Sequence, residues 1–110
     1  MNSREMNIEY EKKFNQGFSW IYVVGSFEHL KCVKIGMSKR TTCKGRIQQL
    51  QTAFPYLLHS YAEFQVNTHH VIDIEKRVHD KLKEFRLKGE WFSVHPKDAI
   101  ESIKEILNVV

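Results

Sequence analysis

The chain has 110 residues, of which 42% are hydrophobic and 27% charged, and a net charge of +4 at pH 7. This length suits one hydrophobic core and excludes two full domains, and the near-average apolar content excludes a wholly disordered or fibrous chain. Two cysteines are too few for a disulfide framework, and no apolar run approaches the roughly 18 residues that cross a bilayer. We therefore expect a cytoplasmic protein that does not associate with membranes.

The N-terminal part of the chain predicts a helix followed by a β-hairpin. Residues 1–17 place apolar side chains at helical spacing, which predicts a helical extension ahead of the main domain. Residues 18–24 are aromatic and β-branched, and residues 30–36 alternate in polarity, so both stretches are typical of strands. In a hairpin of these strands Tyr22 and Lys34 fall on the same face, where we expect them side by side.

The rest of the chain predicts helices around a further strand. One helix is expected to end near Thr52, and the alternating residues 56–66 predict a third strand. Residues 69–86 carry the strongest helical stripe, residues 90–94 form a short aromatic segment typical of a strand, and an amphipathic helix follows Pro96. Short connections between neighbouring strands suit antiparallel pairing, so the order of elements predicts an α+β protein.

Short sequence motifs fall on these predicted elements in a definite order. They are Trp20-Ile21-Tyr22, Lys34-Ile35-Gly36, Arg46, Glu75 and Gly89-Glu90-Trp91-Phe92. Together they resemble the GIY-YIG nuclease superfamily, and most closely its short branch known from phage open reading frames and meiotically up-regulated proteins. The resemblance implies a single nuclease domain over residues 18–110, built as a small three-stranded antiparallel sheet flanked by helices.

The resemblance also implies an activity, the metal-dependent hydrolysis of DNA phosphodiester bonds. Glu75 matches the glutamate that holds one Mg²⁺ or Mn²⁺ in that family, and a carboxylate is a preferred ligand of such hard cations. Tyr22 matches the tyrosine that helps to activate the attacking water. Arg46 matches the arginine that binds the scissile phosphate, and a guanidinium can bind two phosphate oxygens at once. DNA is therefore the expected partner and substrate.

Two residues near these positions leave alternatives open. Lys34 stands where the eponymous motif has a second tyrosine, so it could bind phosphate, lower the pKa of Tyr22, or mark a module that binds nucleic acid with weak or no catalysis. His79 follows Glu75 by four positions, which places both on one side of a helix. His79 could orient Glu75, protonate the leaving oxygen, or be structural.

Positive charge is concentrated around the expected site. Six basic residues fall within sixteen positions with no acidic residue among them: Lys31, Lys34, Lys39, Arg40, Lys44 and Arg46. A phosphate backbone would bind to such a cluster, and a solvated basic loop is the alternative interpretation. We expect Lys31, Lys39, Arg40 and Lys44 to bind nucleic acid beside the reacting groups.

Overall fold

A computed structural model describes residues 17–39, 44–52 and 54–108 of the chain, and the fold is given for these ranges. The elements are β1 (Phe18–Gly25), β2 (Val33–Ser38), α1 (Lys44–Thr52), β3 (His59–Asn67), α2 (Val71–Lys81), a 3₁₀ turn (Lys83–Phe85), β4 (Arg86–Lys88), β5 (Trp91–Phe92) and α3 (Pro96–Leu107). The helical extension predicted for residues 1–17 lies outside the described residues, except for Gly17. Within the described ranges, no helix has the length and apolarity needed to cross a bilayer.

The strands form one antiparallel sheet in the order β3-β1-β2-β5-β4. The α+β class is confirmed, but the expectation of a three-stranded sheet is wrong, because five strands are present. The two additional strands form a tight hairpin around Gly89, whose φ of 58° suits a residue without a side chain. This hairpin pairs with the free edge of β2, where the Ile35 amide donates a hydrogen bond of 3.0 Å to the Glu90 carbonyl.

The helix predicted for residues 69–86 is shorter than its apolar stripe indicates. It ends at Lys81, and Leu82 is the last residue of the stripe that reaches the core. Phe85 continues the helical spacing but is 48% exposed, and its carbonyl accepts a hydrogen bond of 2.7 Å from the Ser93 amide. The pairing of the β4–β5 hairpin therefore replaces the last predicted turn of the helix.

The two faces of the sheet are covered by different helices. Alternation along β1 sends Ile21 and Val23 to the face that packs against α2 and α3, where the main core lies. Tyr22 and Val24 point to the opposite face, which α1 covers with Ile47 and Leu50. The face of β1 that carries Tyr22 is thus a small, separately packed layer.

The register of the hairpin corrects one expectation about this layer. Tyr22 lies opposite Gly36, and Lys34 lies opposite Val24. Tyr22 and Lys34 share a face, as predicted, but they are diagonal neighbours and not a directly opposed pair. A glycine therefore faces the tyrosine, which leaves room for the phenol ring above β2.

Candidate functional site

The candidate site is built around the absence of a side chain at Gly36. A Cβ at this position would lie 2.5 Å from Cζ of Tyr22 and 2.9 Å from Oε2 of Glu90. The tyrosine ring from β1 and the Glu90 carboxylate from the β4–β5 hairpin therefore meet directly over β2. No side chain other than hydrogen fits between them, which explains the glycine in physical terms.

Tyr22 contributes a buried phenol. Its side chain is fully buried, and its hydroxyl makes no well-aligned hydrogen bond within the described part of the chain. Burial raises the pKa of Tyr22 above its usual value, while the nearby Arg46 guanidinium lowers it in part and the Glu90 charge raises it. Of the alternatives open for Lys34, an effect on the pKa of Tyr22 finds no support, because Arg46 is the cation that lowers it.

Glu75 contributes a half-buried carboxylate from α2. Its Oε2 is buried and has no hydrogen-bond partner among the described residues. Burial raises the pKa of Glu75 to about 7, the Glu90 charge raises it as well, and the Lys34 charge lowers it. An oxygen in this state suits a hard cation, which would compensate its charge. Among the described residues no group of three histidines, cysteines or acidic residues is placed to hold a metal.

An ion pair between Lys34 and Glu90 closes one side of the site. Lys34 Nζ lies 3.2 Å from Glu90 Oε2, and the lysine side chain is only 12% exposed. The same ammonium lies 5.9 Å from the centre of the Trp91 ring. Trp91 is half-buried on this face, whereas Phe92 is fully buried in the main core.

Glu90 is the site residue that sequence reasoning missed. It belongs to the Gly89-Glu90-Trp91-Phe92 motif, so the signal was present in the sequence. Its proximity to Gly36 follows from the pairing of β5 with β2, which is a contact between distant parts of the chain.

His79 binds the backbone of β2. Its Nε2 lies 2.8 Å from the Ile35 carbonyl, and its ring centre lies 5.1 Å from that of Phe92. Since a carbonyl only accepts, Nε2 carries the proton in this bond. The structure therefore gives His79 a contact that fixes α2 against β2, on the residue adjacent to Gly36.

The predicted basic residues are only partly brought together. Arg46 and Lys39 line one cleft of about 240 Å³, together with Met37, Ser38 and Gln49. Lys31 lines a different cleft beside Phe85 and His95, so it does not join the site. Arg40 and the side chain of Lys44 lie outside the described part of the chain.

Comparison with protein families places the chain in a class of nuclease-related domains of phage open reading frames. The matching family model is the T5orf172 domain, which covers residues 19–107, and the chain belongs to this family. Comparisons with curated proteins and with solved structures gave no significant match. The matched range includes all the side chains described above.

Proposed function

We propose that this protein is a metal-dependent endonuclease of the GIY-YIG type that hydrolyses DNA phosphodiester bonds. The observation that carries the proposal is that Tyr22, packed over Gly36, interacts electrostatically with both Arg46 and Glu75, and that one buried oxygen of Glu75 has no partner in the described residues. The resemblance assigns these three residue types to water activation, phosphate binding and metal binding. Membership of a nuclease-related family supports the same class of reaction.

Glu75 is the residue that would hold the divalent cation. With a pKa of about 7, its carboxylate is only partly ionised at neutral pH in the protein alone. A single protein carboxylate leaves the other coordination positions of Mg²⁺ or Mn²⁺ to water and phosphate oxygens. When bound, the cation would supply positive charge to the reacting phosphate and acidify a water.

The remaining residues act through charge and hydrogen bonding. Arg46 is exposed beside the cleft that it shares with Lys39, so both side chains are accessible to a phosphate group. Because the pKa of Tyr22 is raised, its hydroxyl keeps the proton at neutral pH and can donate a hydrogen bond to a water or phosphate oxygen. Tyr22 would then orient the reacting groups instead of removing a proton.

Nicking of supercoiled plasmid DNA tests this proposal. The wild type is incubated with Mg²⁺ or Mn²⁺ and, separately, with EDTA, and is compared with Glu75→Gln and with Glu101→Gln, an exposed site on α3. We expect cation-dependent nicking that falls by roughly 100-fold or more in Glu75→Gln and is unchanged in Glu101→Gln. Nicking that persists in EDTA, or in a folded Glu75→Gln protein, would contradict the assignment.

Lys34 favours a second candidate, a nucleic-acid-binding module that does not cut. It takes the place of the second motif tyrosine, and its charge is engaged by Glu90. In that case the wild type would bind plasmid, single-stranded or branched DNA without nicking any of them. Arg46→Ala would then weaken binding and reduce its salt dependence, because it removes one phosphate contact.

A further inference from the structure

A row of aromatic side chains extends from the candidate site across the surface. In order from the site it consists of Trp91, Phe54, Tyr56 and His29, and we call it the aromatic row. Successive ring centres lie 5.0, 6.0 and 4.5 Å apart. The row begins at Trp91, whose ring lies under the Lys34 ammonium. The row therefore starts at the ion pair of Lys34 and Glu90, which borders the candidate site.

The rings leave surface available for a ligand. Phe54 and Trp91 are stacked with an interplanar angle of 8°, and both are half-buried. Tyr56 is 38% exposed and meets Phe54 and His29 at angles of 63° and 71°. In such edge-to-face contacts only one of the two rings has its face covered, so flat aromatic surface stays open to another ring.

The loop that carries Phe54 and Tyr56 is held in place by hydrogen bonds from the Gln51 side chain. Gln51 on α1 donates from Nε2 to the carbonyls of Phe54 and Tyr56 at 3.3 and 2.9 Å, and its Oε1 accepts from the Leu58 amide at 2.6 Å. Three hydrogen bonds already hold the backbone of residues 54–58, so the exposed rings are not needed for that purpose. Ordered rings lose little freedom when they bind, which favours recognition.

Positive charge at one end of the row fits a polyanion. Lys34 lies at the Trp91 end, where its ammonium is 5.9 Å from the centre of the Trp91 ring. A ligand that combines flat aromatic rings with negative charge at regular spacing is a nucleic acid strand with unpaired bases. Bases inside a duplex are stacked on one another and cannot offer their faces in this way.

We propose that the aromatic row binds unpaired bases of a single-stranded DNA segment next to the phosphate bound at the candidate site. This inference rests on the proposed function and names its substrate class, DNA with single-stranded or branched regions. Stacking on aromatic side chains tolerates any base sequence, so the preference concerns DNA structure.

DNA binding measured in EDTA tests the aromatic row, because the proposed cleavage needs a divalent cation that EDTA removes. Fluorescence anisotropy compares a labelled thymine strand, an abasic strand of equal length, a duplex and a fork with a single-stranded arm. For the wild type we expect the thymine strand to bind about tenfold more tightly than the abasic strand, which has the same phosphates and no bases. Equal affinity for the two strands would overturn the proposal.

Substitutions in the loop of residues 54–58 test whether Tyr56 contributes to the binding of unpaired bases. Tyr56→Ala should weaken binding of the thymine strand and the fork about tenfold, with duplex affinity and salt dependence unchanged. Tyr56→Phe keeps a ring, and Leu57→Ala removes a 77% exposed apolar side chain next to it, so both should bind as the wild type does. Equal weakening of every DNA by Tyr56→Ala, or the same loss in Leu57→Ala, would overturn the proposal.

The two proposals fail in distinguishable ways. Selective binding of unpaired bases by a protein that nicks no DNA with Mg²⁺ or Mn²⁺ contradicts the nuclease activity and supports the aromatic row. Nicking by a protein that does not distinguish thymine from abasic strands supports the nuclease and contradicts the row.

Discussion

Replacing Gly36 by alanine tests how the site is packed. The added Cβ would lie 2.5 Å from Cζ of Tyr22, whereas ordinary contacts begin at 3.4 Å, so the ring would have to withdraw by about 1 Å. The Glu90 carboxylate, at 2.9 Å, ends a flexible side chain and can move aside. The Tyr22 ring cannot do so cheaply, because it is fully buried and packed against Ile47 and Leu50 of α1.

We expect Gly36→Ala to lower the free energy of unfolding by roughly 1–3 kcal/mol, the usual cost of overpacking. The displaced ring also moves its hydroxyl away from Arg46, so DNA nicking should fall in the same protein. Gly89→Ala is the matched control. Gly89 has a φ of 58°, and an added Cβ meets no described atom within 4 Å, so alanine there costs about 1–2 kcal/mol of backbone strain and leaves Tyr22 in place.

Urea unfolding measures these differences, provided that the denaturant slopes agree among the proteins. Tyr22→Leu and the double variant complete a thermodynamic cycle, because leucine lacks the ring atoms that the new Cβ would meet. Gly36→Ala should therefore cost less in the Tyr22→Leu background. The packing argument would be refuted if the free energy of unfolding of Gly36→Ala lay within about 0.5 kcal/mol of the wild-type value. It would also be refuted if the substitution cost the same in the wild-type and Tyr22→Leu backgrounds.

Three further predictions concern charge and the core. Because the pKa of Glu75 is raised to about 7 from 4.5, the folded state binds more protons between these values, and stability should fall as pH rises through this interval. Urea unfolding should therefore show that Glu75→Gln gains stability relative to the wild type between pH 5 and pH 8, and a constant difference would contradict this. Glu90→Gln removes a negative charge that raises the pKa of Glu75, and it frees Lys34, whose positive charge lowers that pKa. The midpoint of the carboxyl ¹³C titration of Glu75 should therefore move to lower pH. An unchanged midpoint would show that the two carboxylates do not interact. Phe92 is fully buried, so Phe92→Ala should cost about 3–5 kcal/mol in urea unfolding, and a loss below about 1 kcal/mol would mean that the ring is not part of the core.

Elements with strong local periodicity were predictable from the sequence. Alternation placed Tyr22 and Lys34 on one face of the hairpin, and the helical stripe predicted within residues 69–86 supplies Val71, Val78 and Leu82 to the core. The prediction failed at residues 83–86, where the spacing continues to Phe85 but the backbone leaves the helix. The chain there enters β4, which pairs with β5, and β5 in turn pairs with β2 from a distant part of the chain.

The candidate site was likewise predictable from the sequence only where local motifs define it. Tyr22, Arg46 and Glu75 could be predicted as parts of one candidate site, because each motif is local and the order of the motifs is informative. Glu90 could not, because its place over Gly36 depends on the β2–β5 pairing. Lys31 and Lys39 were predicted in one cluster but line different clefts, since closeness in sequence does not show on which side of the sheet a loop residue lies.

The hydrogen bond from His79 to the Ile35 carbonyl has a mechanical consequence for the site. His79 follows Glu75 by one helical turn, and Ile35 immediately precedes the glycine under the Tyr22 ring. Sliding of α2 along β2 would break this bond, so the bond holds the helical turn that carries Glu75 in register with Gly36. The separation between the Glu75 carboxylate and the Tyr22 phenol therefore depends on a hydrogen bond to which neither residue contributes.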